Sequence, residues 1–222
     1  MTFRFNPHYL IDAVVFGTPV LFTITYLIAA SNGHVPWCIP LIQNCTTITD
    51  TGIYPPGSYV FRFGAYPLIT FMGFLFYFFK EWLEQVAGRK SLPARVCFYL
   101  AVLACLFMNA AIAVMDPENQ HQWMRLHTVF AIFYFVLMLV AQSVYTWEDF
   151  RLRRIESKTA LGIRVGTNLL QFGFLTSALL LPLFGHKPGD AYEWLMTFSF
   201  FLWYSSFLFE RDKVFTENFT RR

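Results

Sequence analysis

The chain has 222 residues and a formal net charge of +3; 56% of its residues are hydrophobic, 20% aromatic and 14% charged. Soluble domains carry roughly a quarter charged residues, so the composition excludes a disordered chain, a nucleic-acid-binding module and a small secreted disulfide scaffold. It leaves an all-α integral membrane protein, with a mean hydropathy of +0.44 and little length for a soluble domain.

Six apolar stretches approach the ~20 residues that a bilayer core demands of a helix: about 13–30, 61–79, 96–115, 128–147, 165–184 and 191–209. None alternates polar and apolar residues, which excludes a β-barrel. Residues 1–222 therefore read as a single membrane domain, a polytopic bundle of six transmembrane helices. With the N-terminus inside, the inner segments hold Arg4; Lys80, Arg89, Lys90 and Arg95; Arg151, Arg153, Arg154, Lys158 and Arg164; and Arg211, Lys213, Arg221 and Arg222. Only Arg62, Arg125 and Lys187 of the 17 basic residues then face outward. The positive-inside rule makes both termini cytoplasmic, and the inner basic residues read as topology anchors facing anionic lipid.

In chain order, the first span follows Arg4 and ends at Ala29-Ala30-Ser31, a poor cleavage site, so it is expected to remain as an uncleaved helix. An outer loop, 31–60, follows and is too long for a mere connector. Its Cys38 and Cys45 lie seven positions apart on the oxidising side, where a disulfide is the first reading and two packed free thiols the other. Asn44-Cys45-Thr46 fits a glycosylation sequon but collides with that disulfide. Asp50 is either a site carboxylate or the start of an Asx-turn. Arg62 stands at the edge of the second span.

The third span carries Cys97 and Cys105, read as small buried packers, and Asn109. Between it and the fourth, Asp116-Pro117 predicts a helix start. His121 and Arg125 would then share one face, with His127 a turn beyond Trp123, as a headgroup-facing group or a solvated helix end. Asn109 in the third span, and Asn168 and Gln171 in the fifth, are expected to glue helices together, the alternative being a transport path. Glu193 opens the sixth span, where an ionisable group is a functional hypothesis; the alternative is a capping-box-like pair with Asp190. Asn218-Phe219-Thr220 also fits a sequon but faces the cytoplasm. No phosphate loop, nucleophile elbow or zinc-protease motif occurs. No metal and no cofactor are expected.

Several of these residues together resemble the Frag/DRAM/Sfk family of six-span membrane proteins, which includes the damage-regulated autophagy modulators and a Golgi protein of GPI-lipid remodelling. The run Thr47-Ile48-Thr49-Asp50-Thr51-Gly52-Ile53-Tyr54-Pro55-Pro56-Gly57, continuing to Phe61, is similar to the family's I-S-D-x-G-x-x-P-P-E…F loop. Thr49 stands where many members have Ser, and Gly57 where the autophagy modulators carry an acid. Val60-Phe61-Arg62-Phe63 resembles the aromatic-Arg-aromatic start of the remodelling branch's second span. Arg125-Leu126-His127 resembles the family's approach to the fourth span, and Ala191-Tyr192-Glu193-Trp194 its E-W final helix. The resemblance implies a role in lipid homeostasis and supplies no catalytic mechanism.

The leading expectation is a multi-pass lipid-handling protein whose outer polar residues, Asp50, Arg62, His121, Arg125, His127 and Glu193, meet a lipid headgroup. Arg62 and Arg125 would take the phosphate; Asp50, His127 and Glu193 would orient it or exchange protons. Its partners are then membrane lipids. The competing reading is a non-catalytic accessory or scaffold subunit, whose partners are other membrane proteins. A transporter would need charge at mid-membrane or broken helix pairs, which the sequence lacks. Plasma or inner membrane and endomembrane fit the composition equally.

Overall fold

The computed structural model of the chain describes residues 6–116, 120–153, 157–185 and 189–210, with the backbone alone at 120–123 and 153. Arg4, Pro117, Arg154, Lys187, the basic residues and the Asn218-Phe219-Thr220 sequon after 210, and the side chains of His121, Trp123 and Arg153 therefore lie outside the described residues. Among those described every element is helical. Five helices are long and apolar enough to cross a membrane: α1 (His8–Ser31), α4 (Gly57–Ala87), α5 (Leu92–Ala113), α6 (Gln120–Arg153) and α7 (Lys158–Leu180). The expected last span is shorter: α8 (Ala191–Ser205) runs on as a 3-10 turn, Ser206–Glu210. The long loop is folded rather than open, with α2 (Pro40–Gln43) and α3 (Ile48–Ile53) inside it.

Local chemistry sets the helix ends. The Ser91 and Ser157 hydroxyls accept from the backbone N–H groups of Ala94 and Ala160, capping α5 and α7. Gly88, at φ 64°, ends α4 in the left-handed conformation that glycine adopts without strain. Thr47 and Asp50 form a reciprocal capping box on α3: Thr47 N–H donates to Asp50 Oδ2 (3.1 Å) and Asp50 N–H to Thr47 Oγ1 (2.9 Å). The Asx-turn expected at Asp50 is thus a helix cap instead. Cys38 and Cys45 are joined in a disulfide around α2, and the Tyr26 hydroxyl on α1 donates to the Cys38 carbonyl (2.7 Å).

α5 packs against α4 and α6, α1 against α3, α4 and α8, and α7 against α6 and α8. α3 seats so closely on α4 that a Cβ at Gly52 would lie 2.6 Å from the Phe61 ring, so only glycine fits there. Cys97 and Cys105 are buried free thiols in this packing. The polar glue expected of the fifth span is present, whereas among the described residues Asn109 Oδ1 in the third span is buried without a hydrogen-bond partner. Gln171 Nε2 donates to Gln142 Oε1 (2.9 Å) and to the Ser199 carbonyl (3.2 Å), tying α7 to α6 and α8. Asn168 Nδ2 and Trp203 Nε1 both donate to Thr146 Oγ1 (3.2 and 3.1 Å).

At the end of the bundle away from α2 and α3, aromatic rings fill the centre. Phe79 stacks on Phe207 at 4.2 Å between centroids, and Tyr145 and Trp203 close around them. Arg164 lies against this cluster, its guanidinium 4.1 Å from the Phe207 ring centre. Arg164 is not the lipid-facing anchor that its place in a basic segment suggests, being only 1% exposed. Its Nη1 donates to Asp149 Oδ2 (2.5 Å), Nη2 to Glu210 Oε2 (2.6 Å) and Nε to Ser206 Oγ (2.8 Å). Apolar surroundings make a single charge costly, so the cation is held where α6 and the turn after α8 each supply a carboxylate. Arg164→Ala strands both acids: the melting temperature of the detergent-solubilised protein is expected to fall sharply, for a loss of about 3–5 kcal/mol, whereas Arg89→Ala, on an exposed turn, leaves it unchanged.

Candidate functional site

The segment from Asn44 to Thr49 is bonded side by side to the start of α8. Asn44 Oδ1 accepts from the Ala191 N–H (2.7 Å) and so caps α8 from another part of the chain. Trp194 Nε1 donates to the Thr46 carbonyl (2.9 Å). Glu193 Oε1 accepts twice from Thr49, from its N–H (3.1 Å) and its hydroxyl (2.8 Å). The capping pair of Asp190 with Glu193 does not form. Asp190 is itself helical (φ −59°, ψ −32°) and its side chain makes no cap hydrogen bond, since an N-cap side chain reaches back only from a non-helical backbone.

Thr49 also meets His127. Its hydroxyl lies 3.1 Å from His127 Nε2, and His127 Nδ1 lies 2.9 Å from the Ala111 carbonyl. A carbonyl only accepts, so Nδ1 carries a proton and the neutral ring offers Nε2 as an acceptor. The single Thr49 hydroxyl proton then stands between two acceptors, His127 Nε2 and Glu193 Oε1. Both contacts become hydrogen bonds when the chain holds one more proton, on the carboxyl or on the ring. Glu193, Thr49 and His127 form a relay that can pass that proton from one end to the other.

This relay lines a cavity of about 520 Å³. Asp50, Thr47, Thr128 and Asp190 share its polar end, and the rest is largely apolar, with Thr18 and Thr197 among it: Phe61, Ala65, Leu68, Ile69 and Met72 form one stripe of α4, with Ile112, Tyr134 and Phe201 facing it. From Phe61 to Met72 the stripe runs roughly 16 Å at the helical rise, about half the ~30 Å of a hydrocarbon core. Ile132 and Thr128 on its rim are exposed, so the cavity opens beside α6.

Of the residues singled out from the sequence, Asp50, His127 and Glu193 converge on this cavity. Arg62 does not line it: Nη2 donates instead to the Met115 carbonyl just beyond α5. Arg125 is exposed on α6, outside the lining, and the His121 side chain lies outside the described residues. His34 stacks on Tyr54 at 4.9 Å, with Nε2 3.0 Å from the Pro55 carbonyl. Thr49, the residue that joins the relay, was passed over. The sequence signal for it is a hydroxyl at a position where the resemblance implies Ser in many members. Burial and the charge of Asp50 raise the Asp190 carboxyl above its ordinary value. Among the described residues no group of three His, Cys, Asp or Glu side chains is placed to hold a metal ion.

The family model described as Frag1/DRAM/Sfk1/Cwh43P N-terminal domain matches residues 8–213. The chain belongs to that family. The match spans every helix from α1 to α8, so the cavity and relay lie wholly within the Frag1/DRAM/Sfk1 domain. No curated protein and no solved structure matches the chain.

Thr49→Val removes the hydroxyl on which both contacts depend. It leaves His127 Nε2 unsatisfied, and thermal unfolding is expected to register a loss of about 1–3 kcal/mol. Thr49→Ser keeps the hydroxyl and is expected to unfold within a degree or two of the parent; equal losses in both variants would mean that the relay contributes nothing.

Proposed function

We propose that this integral membrane protein handles lipid, holding one lipid with its headgroup at the Asp50–Thr49–Glu193 end of the cavity and its hydrocarbon along the α4 stripe. The observation that carries the reading is the cavity itself: apolar along its length, polar at one end, as deep as one leaflet and open beside α6. Ligand sites of this size are typically apolar with a few convergent polar groups. Membership of the Frag1/DRAM/Sfk1 family is consistent with a lipid-related role. In this reading α8 with its 3-10 turn is a sixth span, both termini are cytoplasmic, and the polar end faces outward, as the basic residues imply.

One observation favours the accessory-subunit reading. Only 11% of the α7 span is buried, against 33–39% in the other four, and Cβ atoms at Gly162, Gly166 and Gly173 would meet nothing within 4 Å. Small residues on an open helix face let another helix approach closely.

Native mass spectrometry of the detergent-purified chain separates the two. The lipid reading expects one lipid retained per chain, lost from Glu193→Gln and from Ile132→Trp at the rim while both variants still elute as one folded species. A lipid-free chain carrying a second protein in fixed ratio would overturn it in favour of the accessory reading. The topology is checked in sealed vesicles of one orientation with an impermeant thiol reagent. Only one of Asn32→Cys and Arg89→Cys is expected to react, and reaction of both excludes the proposed orientation.

A further inference from the structure

A headgroup entering this cavity meets carboxylates rather than guanidinium groups. Asp50, Asp190 and Glu193 line its polar end together with threonine hydroxyls, and among the described residues no Lys or Arg does. The arginines expected to take a phosphate are placed elsewhere: Arg62 on the Met115 carbonyl, Arg125 exposed beyond the lining. The contrast with the other end of the bundle is marked. There Glu84 pairs with Arg95, Glu148 with Arg151, and Asp149 and Glu210 with Arg164.

Among the described residues the acids around the cavity have no such partners. Asp50 uses one oxygen to cap α3 through the Thr47 N–H, and the Asp190 side chain caps nothing. The two carboxyls also sense each other, the charge of Asp50 adding to burial in raising Asp190. Like charges held together at the polar end of an apolar space are unfavourable until a cation joins them. A phosphate there would add a further negative charge to the same place.

Building on the lipid reading above, we propose that the cavity takes an amphiphile with a primary ammonium headgroup, the ammonium seated against Asp50 and Asp190 and the hydrocarbon along Ile69, Met72 and Ile112. An ammonium offers three donors and no acceptor, which suits two carboxylates and the Thr47 or Thr128 hydroxyl. The ammonium can come from a free long-chain base or from an ethanolamine phospholipid; the chemistry at the acids is the same.

The test uses the purified full chain in lipid-free detergent micelles and three single-chain probes: sphingosine, lysophosphatidylethanolamine and lysophosphatidic acid, with binding followed by native mass spectrometry and thermal shift. Sphingosine is expected to bind about tenfold or more tighter than lysophosphatidic acid, the ratio that about 1.4 kcal/mol gives. Lysophosphatidylethanolamine binding as tightly as sphingosine assigns the ammonium to a phospholipid, and weaker binding to a free base. The double variant Asp50→Asn, Asp190→Asn is expected to lose about tenfold in amine binding with its melting temperature unchanged. The amide oxygen at position 50 still accepts from the Thr47 N–H, so α3 keeps its cap. Tighter or equal binding of lysophosphatidic acid, or a double variant that binds amines as well as the parent, overturns the proposal and leaves the lipid reading standing. A chain that binds none of the three probes overturns the lipid reading as well.

Discussion

A carboxyl at the start of an apolar helix must find hydrogen-bond donors inside the protein, and Glu193 finds two donors on one residue, Thr49, 144 positions earlier in the chain. That single attachment fixes much else. It brings the loop after α1 against the first turn of α8, where the Asn44 cap and the Trp194 bond to Thr46 secure it on either side. It places α3 over Phe61, at a distance only Gly52 permits. It also presents the Thr49 hydroxyl to His127 on α6. The first loop thus joins the last helix to the middle of the bundle, and the space enclosed beneath that joint is the cavity.

The helices were legible because a bilayer leaves few options: a backbone in hydrocarbon must satisfy its own hydrogen bonds, so long apolar runs become helices. The first five expected spans are shorter than the helices found, since α4 and α6 continue past the apolar run into polar turns, α4 as far as its cap at Gly88. The Cys38–Cys45 disulfide and the interhelical amides of Asn168 and Gln171 were legible for the same reason, each being a residue type with few other uses where it stands.

The partners of the site residues were less legible. Asp50 and Glu193 were both found, yet local rules pointed Glu193 to Asp190, three positions away. Nothing in the sequence signals that Asp190 takes up a helical backbone and leaves the capping to Asn44. Arg62 illustrates a different failure. A long side chain at a helix edge reaches whatever acceptor the fold brings near, and here it is the Met115 carbonyl beyond the end of α5. Arg164 was counted as one anchor among many because its acids, Asp149 and Glu210, come from α6 and the turn after α8, at separations no local pattern records.

The two ends of the bundle therefore handle charge in opposite ways, and the difference separates architecture from site. Arg164 sits in a closed set: its guanidinium is saturated by two carboxylates and a hydroxyl, and packed on Phe207, so adding a ligand there would break bonds without making better ones. At the cavity the accounting stays open. Asp190 caps nothing. Asp50 spends one oxygen on its own helix, and the Thr49 hydroxyl has one proton for two acceptors. A fold selected for stability alone would gain by closing that set with a basic residue among the acids. Leaving donors short beside an apolar space is unfavourable for the empty protein and favourable only once something enters that supplies them. In the lipid reading proposed above, the acceptor-rich end and the leaflet-deep apolar channel are two halves of one recognition problem, which an amphiphile carrying its own donors would solve.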